Sequence, residues 1–138
     1  TSIGGFAGYQ VHSGALVYGG EIAVAKASFP PDGVIHISDT DYAYIDLSGR
    51  VGYAFGDLLV YGKAGLSHAD VTYTGPGVTV GLDGTHFGIG ADYALGEALF
   101  LGVDYTKRNL DGTTVFSGST FEISDTSEAY GLRIGYRF

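Results

Sequence analysis

The segment "EAYGLRIGYRF" at residues 128–138 decides the fold, because its two faces differ so strongly. Side chains of an extended strand alternate between its two faces. The apolar and aromatic residues share one face: Tyr130, Leu132, Ile134, Tyr136 and Phe138. The glycines and arginines share the other: Gly131, Arg133, Gly135 and Arg137. This strand therefore separates an apolar environment from a polar one.

Six further segments alternate with the same period of two, which predicts an all-β protein. With the last strand, the predicted strands are residues 3–11, 15–27, 42–55, 58–71, 86–95, 98–108 and 128–138. Each is long enough to cross a membrane as a tilted strand of about 9–11 residues. The period and the lengths favour an antiparallel up-and-down transmembrane β-barrel.

The predicted connections alternate between short and long, as they do in an outer-membrane-type barrel. The short ones are residues 12–14, 56–57 and 96–97, and they have the glycine and aspartate chemistry of hairpin turns. The long ones are residues 28–41, 72–85 and 109–127, rich in Gly, Thr, Ser and Asp. With no linker in 138 residues, we expect a single barrel domain over residues 1–138.

Composition excludes several classes of protein. A net charge of −8 argues against nucleic-acid binding, which needs a basic surface. The absence of cysteine excludes disulfides and thiolate metal sites. The sequence has no run of about 18 apolar residues, so we expect no transmembrane helix. The 24 glycines show no three-residue repeat, so a collagen-like chain is excluded as well.

Charged residues on the polar face lie in the middle of the strands and balance in sign. The predicted network contains four acids and four bases: Glu21, Asp46, Asp92 and Asp104 with Arg50, Lys63, Arg133 and Arg137. A buried lone charge is strongly unfavourable, so an enclosed polar face needs such pairing. We therefore expect the ion pairs to plug the lumen of the barrel and the apolar face to contact lipid. The alternative is a soluble lipocalin-type barrel with the apolar face inside, which the many glycines of the polar face disfavour.

Several segments resemble the small outer-membrane β-barrel proteins of Gram-negative bacteria, which include opacity-type porins and OmpA-like barrel surface antigens. They are "SGRVGYAF", "LLVYGKAGLSHA", "FGIGADYAL", "LFLGVDYTKRNL" and "GLRIGYRF". The resemblance implies an outer-membrane protein with extracellular long loops and periplasmic short turns, in contact with lipid and lipopolysaccharide. It also implies that the barrel-assembly machinery reads the terminal strand, through Phe138 with Leu132, Ile134 and Tyr136.

The number of strands leads to a further expectation. Bacterial single-chain barrels have even strand numbers, whereas seven strands are predicted here. We expect one strand before Thr1, which would give eight strands in the full protein. Two alternatives stay open: residues 1–11 have other bounds, or another chain closes the barrel.

The expected role is structural or one of surface interaction: envelope integrity, a surface antigen, or a partner in a membrane assembly. A small non-specific pore is the first alternative. The second is an outer-leaflet lipid hydrolase, for which His36 with Ser38 and His68 are the candidate histidines. We expect no enzyme, because neither histidine can be assigned a complete catalytic set.

No cofactor or metal is expected, because the glycine-rich segments lack a phosphate-binding pattern and no EF-hand pattern occurs. Carboxylates cluster in "DTDYAYID" at residues 39–46 and "EISDTSE" at residues 122–128. These clusters are expected to be solvated acidic loops. The alternative is that divalent cations bridge them to lipopolysaccharide phosphates.

Overall fold

The computed structural model describes residues 2–29, 40–73, 78–116 and 118–137. All seven predicted strands occur in it: β1 (Ser2–Ser13), β2 (Leu16–Phe29), β3 (Thr40–Phe55), β4 (Leu58–Tyr73), β5 (Val78–Ala94), β6 (Leu99–Phe116) and β7 (Ser119–Tyr136). They form one sheet in chain order, in which every neighbouring pair is antiparallel. The all-β, up-and-down architecture is therefore confirmed. No helix in the described part of the chain could span a membrane.

Three short connections lie at one end of the sheet, which we call the lower end. Residues 14–15 join β1 to β2, residues 56–57 join β3 to β4, and residues 95–98 join β5 to β6. Gly14 and Gly56 have φ of 63° and 61°, a left-handed conformation that costs glycine little. The short turns fall where the sequence predicts them, to within about two residues.

Two of the three predicted long loops are wrong, because the strands at the upper end run further than expected. β4 ends only at Tyr73 and β5 already begins at Val78, so most of residues 72–85 is strand. β6 ends at Phe116 and β7 begins at Ser119, so residues 109–127 are almost entirely strand. The third predicted loop lies mostly outside the described residues, since β2 ends at Phe29 and β3 begins at Thr40.

The sheet curls so strongly that side chains from distant strands meet on its inner face. Arg133 of β7 contacts Glu21 of β2, and the rings of Phe6 in β1 and Phe100 in β6 are 6.2 Å apart. Strands β1 and β7 nevertheless do not pair with each other in the described residues. They run in the same direction, so antiparallel closure needs one further strand between them. The expected strand before Thr1 lies outside the described residues and stays a prediction.

Below the upper end of the sheet, polar residues line the inner face together with the buried Val17, Tyr61 and Phe100, and apolar residues cover the outer face. The buried polar residues are Glu21, Asp46, Ser48, Arg50, Ser67, His86, Asp92, Thr106 and Arg133. The outward residues form an apolar band that includes Ile22, Leu47, Val60, Leu66, Ile89 and Val103, all exposed. The lipocalin-type alternative requires the opposite arrangement and is wrong for this part of the sheet.

The arrangement reverses near the upper end of the same strands. Here the inward residues Ala69, Val71, Leu82 and Leu110 form a buried apolar cluster, against which Tyr42 and Tyr44 pack; we call these six residues the upper core. The outward residues at this level are polar, among them His68, Asp83, Asn109 and Glu128. On these strands the apolar residues therefore lie on the outer face at the lower levels and on the inner face near the upper end.

Candidate functional site: the polar interior

Four charged side chains form the central ion-pair quartet, defined as Glu21, Arg50, Asp92 and Arg133. Arg50 donates to Glu21 Oε2 at 2.8 Å and to Asp92 Oδ2 at 2.9 Å. Arg133 donates to both oxygens of Glu21, at 3.2 and 2.6 Å. All four side chains are more than 90% buried, and the two acids balance the two bases. The quartet therefore ties β2, β3, β5 and β7 together across the interior.

Aromatic rings complete the surroundings of the two arginines. The Arg50 guanidinium lies 3.7 Å from the centre of the Tyr61 ring, and that of Arg133 lies 3.9 Å from the centre of the Phe6 ring. Such contacts stabilise a desolvated cation by about 2 kcal/mol or more. The Phe6 contact also links β7 to β1, so the arginine bridges the side of the sheet where the backbone ladder is open.

Two further ion pairs lie above the quartet. Lys63 Nζ is 2.5 Å from Asp104 Oδ2, which joins β4 to β6. Arg108 of β6 pairs with Asp46 of β3, through both Nε and Nη2. Among the described residues, the interior thus contains four acids and four bases, and every one of these acids has a basic partner.

The fourth base is Arg108 rather than the predicted Arg137. Arg137 follows the end of β7 and is exposed, with its guanidinium 6.0 Å from the centre of the Phe100 ring. The two residues share the inward parity of their strands, but Arg137 lies at the open lower end where water can solvate its charge. Position along the strand, which the alternation does not reveal, decides which arginine joins the network.

A hydrogen-bonded chain around His86 lies between these ion pairs and the upper core. Ser67 donates to Asp46 Oδ1 at 2.6 Å, and its Oγ is 2.8 Å from His86 Nδ1. Because the Ser67 proton is used, its oxygen must accept from Nδ1–H of His86. In a neutral imidazole, Nε2 is then the acceptor for the Ser48 hydroxyl, at 2.7 Å. The neutral histidine thereby has both ring nitrogens satisfied while only 2% exposed.

This arrangement resembles the serine–histidine part of a hydrolase, but its location differs from that of a lipid hydrolase site. Ser48, Ser67 and His86 all face the interior and are more than 90% buried, whereas lipid would contact the opposite face. The hydrogen bonds hold β3, β4 and β5 together, and we assign them a structural role.

The histidines considered for hydrolysis are placed differently. His68 faces outward near the upper end, where Nδ1 is 2.6 Å from Asp83 and Nε2 is 3.3 Å from Asp70. Hydrogen bonding to Asp83 raises the pKa of His68, which lies beyond the apolar band. No serine hydrogen bonds to His68 in the described ranges. His36 and Ser38 lie outside the described residues.

The residues expected to form the assembly signal lie on the outward face of β7. Leu132, Ile134 and Tyr136 are 80%, 68% and 67% exposed, on a strand whose second edge is unpaired in the described residues. Phe138 lies outside the described residues. The geometry therefore shows an accessible apolar edge strand.

An open groove of about 740 Å³ lies on the outer face of β4–β7. Its outward lining is apolar or aromatic, with Val60, Ile89, Val103, Tyr105 and Leu132. Tyr105 and Tyr130, whose ring centres are 5.1 Å apart, both line it. It belongs to the apolar band rather than to the polar interior.

Four interior residues were not predicted as members of the network: Arg108, Ser48, Ser67 and His86. Parity places Arg108, Ser48 and Ser67 on the polar face with the predicted charges, but alternation does not show which residues of that face join the network. His86 has the parity of Asp92 on β5, and that parity could have selected it.

Comparison with known proteins agrees with this architecture. The family model described as "Outer membrane protein beta-barrel domain" matches residues 1–138. No curated protein matches the chain.

Proposed function

Because the chain belongs to the outer membrane protein β-barrel domain family, we propose that it is an integral outer-membrane barrel whose interior is plugged by ion pairs. Its role is then structural or one of surface interaction: envelope integrity, a surface antigen, or a partner in a membrane assembly. In this proposal the long-loop end is extracellular, the short turns are periplasmic, and the protein is not an enzyme.

The observation that carries the proposal is the charge balance of the buried interior. Four acids and four bases pair across the sheet, and two arginines stack on aromatic rings. Small barrels have interiors just wide enough for side chains to fill. In this proposal the network fills the cross-section of the barrel, and the upper core lies above it on the same inner face.

The outward face supports the membrane position. Its apolar band runs from Leu58 to Leu66 on β4 and from Leu99 to Tyr105 on β6. Tyr53, Tyr93 and Tyr136 lie near the lower edge, as aromatic residues do at a membrane interface. Strands β4 to β7 have 16–18 residues, more than the 9–11 needed for crossing, so their upper parts project beyond the lipid.

Conductance separates the plugged barrel from the small-pore alternative. The refolded full-length protein is reconstituted in planar lipid bilayers, with a large porin as the positive control. We expect no discrete conductance steps above background. Reproducible steps that scale with salt concentration would overturn the plug and support a pore.

We also propose that the barrel-assembly machinery recognises the apolar end of β7. The support is the exposed, unpaired edge that carries Leu132, Ile134 and Tyr136. Deleting Phe138 should lower the amount of protein inserted in cells several-fold, while leaving refolding into detergent unchanged. Deletion of one residue from the turn at 95–98 is the control for a general folding defect, which would lower both. Normal insertion without Phe138 would contradict the sorting role.

A further inference from the structure

Three buried polar atoms of the quartet have no hydrogen-bond partner among the protein atoms of the described residues: Arg50 Nε, Asp92 Oδ1 and Arg133 Nε. The other atoms of these groups are well paired, since Asp92 Oδ2 accepts from Arg50 and Arg133 donates twice to Glu21. Buried charged groups rarely leave such capacity unused, because the lost hydrogen bonds are costly.

Two of these atoms face each other with complementary chemistry. Arg133 Nε, a donor, is 3.8 Å from Asp92 Oδ1, an acceptor. A direct charge-assisted hydrogen bond would need about 2.7–2.9 Å. A polar separation beyond about 3.5 Å leaves room for a water molecule to bridge the two groups.

The backbone beneath the two atoms is adapted to bring them together. Asp92 and Arg133 are the register partners of Gly102 on β6, one on each side. A Cβ at position 102 would overlap Asp92 Oδ1 and would lie 2.7 Å from Arg133 Cγ. Glycine therefore leaves room for both charged side chains to lie over the strand, where Asp92 Oδ1 and Arg133 Nε come within 3.8 Å of each other.

We propose that one ordered water molecule binds in the quartet, donating to Asp92 Oδ1 and accepting from Arg133 Nε–H. Water suits this site because it donates and accepts at once. An anion would be repelled by the free carboxylate oxygen, and a cation by the two guanidinium groups. The quartet has no net charge that would favour either ion.

The water completes a closed ring of hydrogen bonds around the interior. Direct bonds already run from Asp92 to Arg50, from Arg50 to Glu21, and from Glu21 to Arg133. The bridge from Arg133 back to Asp92 adds the missing side. The proposal concerns a bound ligand within the network and does not depend on whether the barrel conducts ions.

A crystal structure of the full-length protein at about 1.5 Å resolution tests the proposal, with parallel crystals grown in bromide and in rubidium salts. We expect a density peak within about 3.2 Å of both Asp92 Oδ1 and Arg133 Nε, without anomalous signal in either salt. A direct Nε–Oδ1 hydrogen bond with no peak would overturn the proposal. An anomalous peak would also overturn it, because the ligand would then be an ion.

Two matched variants sharpen the test. Arg133→Leu should lose the peak, whereas Arg137→Leu, on the same strand but outside the quartet, should retain it. A peak that persists in Arg133→Leu would show that Arg133 does not hold the water. If Arg133→Leu does not fold, the crystals of the unaltered protein and of Arg137→Leu still decide between water, ion and direct bond.

Discussion

Leu66 and Ala69 lie close together on β4, yet their surroundings are opposite. Leu66 is outward and 63% exposed, whereas Ala69 is inward and completely buried. Below this point, in what we call the spanning region, the outer face is apolar and the inner face contains the buried ion pairs. Above it, in the projecting region, the outer face is polar and the inner face is the upper core. One continuous sheet thus has the polarity of a membrane protein below and of a water-soluble protein above.

In the proposed membrane position, the solvent outside the sheet, rather than the strand itself, sets which face is apolar. Hydrocarbon cannot satisfy polar side chains, so in the spanning region these must pair inside. Water hydrates outward groups such as Asp83 and Asn109, and burial of apolar groups then favours the interior. Each of the following experiments tests this contrast, from the largest expected effect to the smallest.

The interior of the spanning region should be most sensitive to the loss of a charge. Arg133→Leu leaves Glu21 with one cation instead of two and removes the contact with Phe6, so the free energy of unfolding should fall by about 3–5 kcal/mol. Urea unfolding in lipid vesicles measures it. Arg137→Leu, the exposed control, should change the value by less than about 0.5 kcal/mol. Equal effects of the two variants would argue against the network.

Two leucines of the two regions should respond differently to truncation. Leu110→Ala in the upper core should lower the free energy of unfolding by about 2–5 kcal/mol, because it leaves a cavity in a packed cluster. Leu66→Ala should cost at least about 1 kcal/mol less, since lipid can fill the space that the side chain leaves. The same urea titration compares them. A larger loss for Leu66 would contradict the assigned boundary.

The outer face of β6 should tolerate an added charge in the projecting region but not in the spanning region. Val103→Arg puts a cation into the apolar band and should destabilise the barrel by about 2–4 kcal/mol. Thr113→Arg, outward on the same strand in the projecting region, should change stability by less than about 0.5 kcal/mol. If both substitutions lower the free energy of unfolding equally, the apolar band is not the surface that contacts lipid.

The smallest effect concerns pH in the projecting region. The pKa of His68 is raised in the folded protein, mainly by its hydrogen bond to Asp83. Its stabilising contribution is therefore complete below the unfolded pKa of 6.5 and is lost as pH rises through the folded pKa. Unfolding of the unaltered protein and of His68→Gln is compared at pH 5.5 and 8.5. Their stability difference should be larger at the lower pH, and a difference independent of pH would contradict the contact.

Much of the spanning region was predictable, because lipid on one side and an enclosed space on the other enforce strict alternation. The number of strands, their order and the short turns follow from that alternation and from glycines such as Gly56. Seven of the eight predicted network residues are also brought into interior ion pairs. The exception is Arg137, which has inward parity but lies exposed at the open lower end of the sheet.

The projecting region was not predictable by the same reasoning, for a physical reason. Where the strands leave the apolar band, the apolar residues change from one parity to the other. On β6 the outward apolar residues Leu99, Leu101 and Val103 are odd-numbered, whereas near the upper end the buried apolar residue is the even-numbered Leu110. A search for continuous alternation interprets this change as the end of a strand, and the Gly, Thr, Ser and Asp content of residues 72–85 and 109–127 then favours loops.

The amino-acid sequence by itself determined the all-β class, the strand order and the separation of a charged face from an apolar one, because these depend on local periodicity and on the cost of burying charge. Tertiary structure alone decided which charges meet, that Arg108 replaces Arg137, and that two serines satisfy His86. These contacts join strands that are far apart in the chain, and their geometry depends on the curl of the whole sheet.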